Sequence, residues 1–210
     1  MRRLFLTCVA LVVALPAWAA VDIKEVVTKQ GIKAWLVEEP AIPFTALEIR
    51  FRGGTSLDDP DTRGAVYLMT ALLEEGAADL DARSFARAVE ALAASFSYDA
   101  GDDSVSSSAR FLSEFRDEAV AFLRQTIHTP RFDPDAIDRV RAQVLSGLQS
   151  DAKDPGEIAS ATFSQVTWGS QPYGSDGKGS IETVTALTRE DLLTAHRAVF
   201  ARDRLYVSAV

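Results

Sequence analysis

Cysteine is almost missing from this chain of 210 residues: Cys8 is the only one, and His128 and His196 are the only histidines. Basic residues are scarce too, with 22 Lys and Arg against 30 Asp and Glu, a formal net charge of -8. That balance argues against a nonspecific nucleic-acid binder, which needs cationic side chains to displace counterions from phosphates. Glycine (12) and proline (8) are too few, and hydrophobic residues (47%) too many, for a collagen-like, low-complexity or wholly disordered chain. The apolar content is sufficient to offset the entropy of ordering the backbone, and the length suits one large domain. Long hydrophobic runs are absent as well. The longest, Leu4 to Leu15, has 12 residues, short of the roughly 20 that a membrane-spanning helix requires.

That run follows Arg2 and Arg3 and precedes Pro16-Ala17-Trp18-Ala19, which puts small residues at the -3 and -1 positions of a cut after Ala19. Residues 1–19 therefore read as a secretory signal peptide, and residues 20–210 as the mature chain. Cys8 stands near the start of the apolar run, not at its end where a lipoprotein cysteine would stand. Cleavage removes two arginines and the cysteine, leaving a formal charge of -10. The mature chain is expected in an oxidising compartment, the periplasm, with no disulfide, thiolate-held metal or cysteine nucleophile.

The remainder mixes short strands with longer helices and contains no internal repeat. Strands are expected at 21–28, 32–38 and 44–52, the first two joined by a turn at Gln30-Gly31. A helix is expected from Gly64 to Gly76, and from Gly64 to Leu73 it is apolar on every side except for Thr70 and the Tyr67 hydroxyl, which implies burial all round. A second helix covers 82–94. A hairpin of 96–100 and 104–111 follows, and its alternating serines suggest a solvent-facing side. Phe115, Ala119, Phe122, Leu123 and Ile127 keep helical spacing. Asp133-Pro134 opens a helix to about 152, Asp154-Pro155-Gly156-Glu157 another to about 168, and Thr188 to Asp191 caps a last one ending near 200. A Gly- and Ser-rich loop separates these last two. The pattern indicates an α+β two-layer domain, a mostly antiparallel mixed sheet packed against helices. The chain stops on an apolar strand, Leu205 to Val210, which suggests that a second, C-terminal domain belongs to the native protein.

Taken together, Gly53-Gly54-Thr55-Ser56, the helix from Gly64 to Leu72-Leu73-Glu74-Glu75-Gly76, Thr129-Pro130-Arg131-Phe132 and Trp168-Gly169-Ser170-Gln171-Pro172-Tyr173-Gly174 carry a resemblance. In that order and spacing they resemble the N-terminal half of the pitrilysin/insulinase family of zinc peptidases, the inverzincins, over essentially all of the mature chain. Active members hold Zn²⁺ with His-x-x-Glu-His on the buried helix, two imidazoles one turn apart and a Glu that activates water. The resemblance puts Tyr67 and Ala71 at the histidines, Thr70 at the Glu and Gly147 at the third ligand, a Glu. None of the four can ligate or act as that base, so neither a metal site nor a catalytic residue is expected in this chain. His128 and His196 stand in separate segments and read as surface or satisfied histidines. The Asp58, Asp59 and Asp61 run reads as a solvated loop, and Glu74 and Glu75 as an exposed terminal turn.

Gly147 inside a helix costs about 1 kcal/mol relative to Ala and so asks for a packing reason. Either the Tyr67 ring fills the volume of the lost metal beside Ala71 and Gly147, or Tyr67 is an ordinary core aromatic. The resemblance further implies a noncatalytic subunit of an exported heteromeric zinc peptidase. Its partner would be an active subunit carrying the zinc, its substrate a peptide or unfolded protein, and its own cofactor none. A substrate strand would add to the 96–111 hairpin at Ser97, Tyr98, Asp99 and Ala100, unless the other half of the protein covers that edge. A scaffold or peptide-binding protein without a role in proteolysis is the alternative.

Overall fold

The computed structural model describes residues 21–210, so the expected signal peptide, residues 1–19, lies outside the described residues. Six strands form one mixed sheet: β1 (Lys24–Val27), β2 (Lys33–Leu36), β3 (Phe44–Arg52), β6 (Ser95–Ala100), β7 (Ser104–Leu112) and β8 (Leu205–Ala209). Their spatial order is β1-β2-β8-β3-β7-β6. β2 and β8 run parallel and every other pair is antiparallel. The final strand of the chain thus lies inside the sheet, where Ile49 is opposite Val207 on one side and Ser107 on the other. A small second hairpin, β4 (Gly76–Ala77) and β5 (Leu80–Asp81), was not legible as strand.

Among the described residues seven α-helices accompany the sheet: α1 (Ala65–Ala71), α2 (Ala82–Ala91), α3 (Arg116–His128), α4 (Pro134–Asp151), α5 (Pro155–Trp168), α6 (Ile181–Ala186) and α7 (Arg189–Val199). The expected Gly- and Ser-rich loop contains α6. Its signal was Ser180 with Thr183 three residues on, which bond each other's backbone N–H in a capping box. Thr188 and Asp191 do the same for α7, and Asp154 caps α5 by accepting from Gly156 and Glu157. Asp133 makes no cap for α4, because its carboxylate is taken by Arg131 Nε at 2.6 Å.

The core lies between one face of the sheet and the helices. Phe51, Val105, Ala109 and Phe111 from the strands meet Leu68 and Met69 of α1, Leu72 just after it, Leu123 and Ile127 of α3, and Leu192 and Val199 of α7. The alternation in β7 is as expected, but its sense is not wholly so. Ser106 and Ser108 are half-buried on the outer side, while Ser107 is fully buried on the core side. The outer face carries Glu25, Trp35, Ser208, Glu48, Ser108 and Ser97 as one row across all six strands. No described helix is long and apolar enough to cross a membrane. α5 is unusual in having no buried residue; Ile158, Phe163, Val166 and Trp168 are all exposed along it.

Candidate functional site

Helix α1 is shorter than the sequence suggests. It ends at Ala71, and tight turns carry the chain from Leu72 to Glu75, with Leu73 N–H bonded to Thr70 O and Glu75 N–H to Leu72 O. Nor is it buried all round. Ala65, Val66, Leu68, Met69 and Thr70 are buried, whereas Tyr67 is half-buried and Ala71 and Glu74 are exposed. Positions 67, 71 and 74 recur at helical spacing, so one open stripe runs down an otherwise buried helix.

The N-terminal end of α1 is locked in place. Asp58 is not part of a solvated loop: its carboxylate accepts from Gly64 N–H at 2.9 Å and Val66 N–H at 3.0 Å. Burial pushes this carboxyl up to about 6, against the two N–H donors and Arg63, which pull it down. Arg63, 6% exposed, donates to four backbone carbonyls: Thr55, Asp176 (3.1 Å), Pro172 (2.7 Å) and Ser175 (3.0 Å). Gly64, at φ +100°, lies so close to the 170s loop that a Cβ would stand 2.5 Å from Lys178 O, and one on Gly179 would stand 2.3 Å from Arg63 O. Glycine is required where two backbones approach like this. Thr55 in turn donates its N–H to Gly101 O and its hydroxyl to Asp102, tying the β6–β7 turn to the same hub.

Beside α1 runs β6, and it is the edge of the sheet. Gly101 N–H bonds Ser104 O across the hairpin. Bonding direction alternates along an antiparallel strand, so Asp99 and Ser97 also turn their backbone groups toward β7, while Phe96, Tyr98 and Ala100 turn theirs outward. The four expected contact residues thus divide. Ser97 and Asp99 are exposed through their side chains, and Tyr98 and Ala100 offer free backbone. The Tyr98 side chain is 8% exposed and points inward, its hydroxyl raised by burial and without a hydrogen-bond partner. Thr70 Oγ1 and Ser107 Oγ are likewise buried and unpartnered.

The packing proposed for Tyr67 and Gly147 is not found. Gly147 is exposed, and a Cβ there would meet nothing within 4 Å, so the Tyr67 ring does not fill its space. Nothing in the structure explains a glycine at this point of α4. Tyr67 lies instead within electrostatic reach of Lys178, whose ammonium is raised mainly by its 2.7 Å hydrogen bond to Asp151. Lys178 and Asp151 border a cleft of about 750 Å³ between α4, α5 and the 170s loop, with Asp102, Glu157, Asp176 and Tyr173 also on its walls. Sequence reasoning took Asp58 for a solvated side chain and passed over Arg63 and Lys178. Only Arg63 left a trace, as a lone cation between an acidic loop and an apolar helix.

The expected zinc positions do not fit zinc. A phenol at 67, a methyl at 71 and a bare backbone at 147 bring no imidazole or carboxylate together, and among the described residues no three His, Cys, Asp or Glu side chains converge as a metal site. His196 is satisfied elsewhere, with Nε2 2.8 Å from Ile127 O and its pKa lowered by burial.

A mixed six-stranded sheet with helices on one face, a mostly buried helix with an open stripe and a free edge strand beside it define an α+β half-domain of the metallopeptidase type, in which no metal-ligating cluster converges among the described residues. The chain belongs to the insulinase family, peptidase family M16, whose profile matches residues 33–176, and it is a degenerate member in which His-x-x-Glu-His occurs nowhere. It is 29% identical over 170 residues to the non-peptidase homolog YmxG of Helicobacter pylori, covering 81% of this chain and 39% of that protein. An uncharacterized zinc protease of Rickettsia felis is 20% identical over 180 residues, 86% of this chain and 44% of that one. Among solved structures, the peptidase M16 inactive domain from Pseudomonas fluorescens superposes with a TM-score of 0.85 at 27% identity, covering 90% of this chain and 46% of that one. A protease from Helicobacter pylori shares the fold with a TM-score of 0.80 at 14% identity, again over 90% and 46%. The chain therefore spans less than half the length of these relatives.

Proposed function

We propose that this chain is a noncatalytic subunit of an exported, periplasmic, heteromeric zinc peptidase, and that it lines the peptide chamber beside an active partner carrying the intact zinc motif. The observation that carries the reading is the pairing of a ligandless open stripe on α1 with the outward backbone groups of Phe96, Tyr98 and Ala100. The family's peptide-holding edge is kept where its metal chemistry is lost. In this reading a substrate strand adds to β6 along Ser97, Tyr98, Asp99 and Ala100, and zinc resides in the partner alone. The uncovered apolar surface of α5 supports a further contact with protein, since such surface is costly to leave in water. The similarity to a non-peptidase homolog and to an inactive M16 domain supports the absence of catalysis.

The test is coexpression of the full-length protein with a family member from the same organism that carries His-x-x-Glu-His. Hydrolysis of an unstructured peptide should require the partner, rise when this chain is present and vanish with a zinc chelator. A partner whose rate is indifferent to this chain would leave a scaffold or binding role outside proteolysis.

A further inference from the structure

The outer face of the sheet carries serines and charged side chains over most of its width, but at its β1-β2-β8 end two exposed aromatic residues, Trp35 and Tyr206, stand on it. Trp35 lies opposite Glu25 of β1 and Ser208 of β8; Tyr206 comes two residues before Ser208, and Lys33 two before Trp35. Side chains alternate along a strand, so Glu25, Lys33, Trp35 and Tyr206 all project from the face away from the core. Among the described residues neither ring packs on another aromatic ring. Tyr206 is steadied instead by the Arg52 guanidinium, 5.9 Å from the ring centre.

The two rings border a pocket of about 650 Å³, within the ~300–1,000 Å³ usual for small-molecule sites. Its walls also include Lys33, Arg202, Glu25 and Asp203, two cations and two anions. Lys33 pairs with Glu25 at 3.1 Å and Arg202 donates to Gln30 O, contacts that hold these side chains while leaving further donors and lone pairs free. The lining decides what fits. Equal charge of both signs gives an anion or a cation little net attraction. A purely apolar molecule would take water from four ionic side chains and return no hydrogen bond. A proline-rich peptide stacks on aromatic rings, but proline has no N–H to give to Glu25 or Asp203. A pyranose meets each condition: its C–H faces lie against aromatic rings, and its hydroxyls both accept from Lys33 and Arg202 and donate to Glu25 and Asp203. We propose that this pocket binds a neutral saccharide, with Trp35 and Tyr206 as the stacking platform. It lies at the opposite end of the sheet from β6 and is independent of peptide binding there.

The test is calorimetric titration of the full-length protein with cellotetraose, maltotetraose and chitotetraose. At least one should bind, and Trp35→Ala and Tyr206→Ala should each weaken it about tenfold, the order expected when a stacked ring is removed. Both side chains are exposed, so these variants should keep the circular dichroism and unfolding midpoint of the parent. Trp35→Phe should restore part of the affinity lost in Trp35→Ala, and Asp203→Asn, which removes a charged acceptor at constant shape, should weaken binding severalfold. Failure of all three saccharides to bind at several millimolar, or an affinity that survives both Trp35→Ala and Tyr206→Ala, overturns the proposal. So does an acetylated, amidated decaproline that binds through Trp35 where the saccharides do not.

Discussion

At the N-terminal end of α1, Arg63 is surrounded by four carbonyls, Asp58 takes two backbone N–H groups and two glycines interlock with the 170s loop. At the other end Ala71 and Glu74 are open, Thr70 Oγ1 has no partner and a strand edge runs alongside unpaired. The short stretch from Asp58 to Glu74 thus holds both a rigid support and an unsatisfied surface. The difference teaches that the support of α1 is built at one end alone: buried hydrogen bonds and close backbone packing fix where the helix starts, while its other end is left with an unpartnered hydroxyl and free backbone groups.

The comparison breaks first, and hardest, at Arg63. Arg63→Ala would leave buried carbonyls unpaired and release the loop that carries Gly179, so a loss of about 3 kcal/mol is expected in urea unfolding. Arg139→Ala at the open end removes only its pair with Glu75 and should cost less than about 1 kcal/mol. An equal loss at both ends would erase the distinction.

Asp58 sharpens the same contrast through pH. Its carboxyl titrates near 6 in the folded chain and near 3.8 unfolded, so the folded state binds the proton more tightly. Its contribution is therefore fully present below about pH 4 and lost as pH rises through about 6. Relative to Asp58→Asn, the parent protein should lose on the order of 1 kcal/mol over that interval, after allowance for the part of the group open to water. A difference that grows with pH would show that its two N–H bonds outweigh burial.

The remaining effect, a gain instead of a loss, belongs to Gly147. With no neighbour within 4 Å of a Cβ, Gly147→Ala should raise stability by about 1 kcal/mol through helix propensity and a less mobile unfolded chain. A loss instead would mean that something packs there in the native assembly.

Much of the fold was legible because its signals are local. β3 occupies the expected 44–52, and the Asp154 and Thr188 caps set the starts of α5 and α7 where expected. The helix over α1 was read too long and too buried, since apolar composition marks a helix without saying which residues other elements cover. Ser107 shows the converse: in a run of serines period-two alternation is plain, yet which serines turn inward depends on the partners of β7. Ser97 to Ala100 fall within a strand, β6, as the hairpin reading expected, and that strand is the edge of the sheet. The division of those four residues into exposed side chains and outward backbone follows only from the phase of the hairpin.

By itself the sequence determined that no histidine pair stands on the buried helix and that an α+β layered domain forms, because ligand identity and hydrophobic periodicity are written residue by residue. Tertiary structure alone decided that β8 threads between β2 and β3, that β6 is left at the edge and that Arg63 reaches the carbonyls of Asp176, Pro172 and Ser175. Those relations join residues far apart in the chain, and strand order and charge proximity exist only once the backbone has closed on itself.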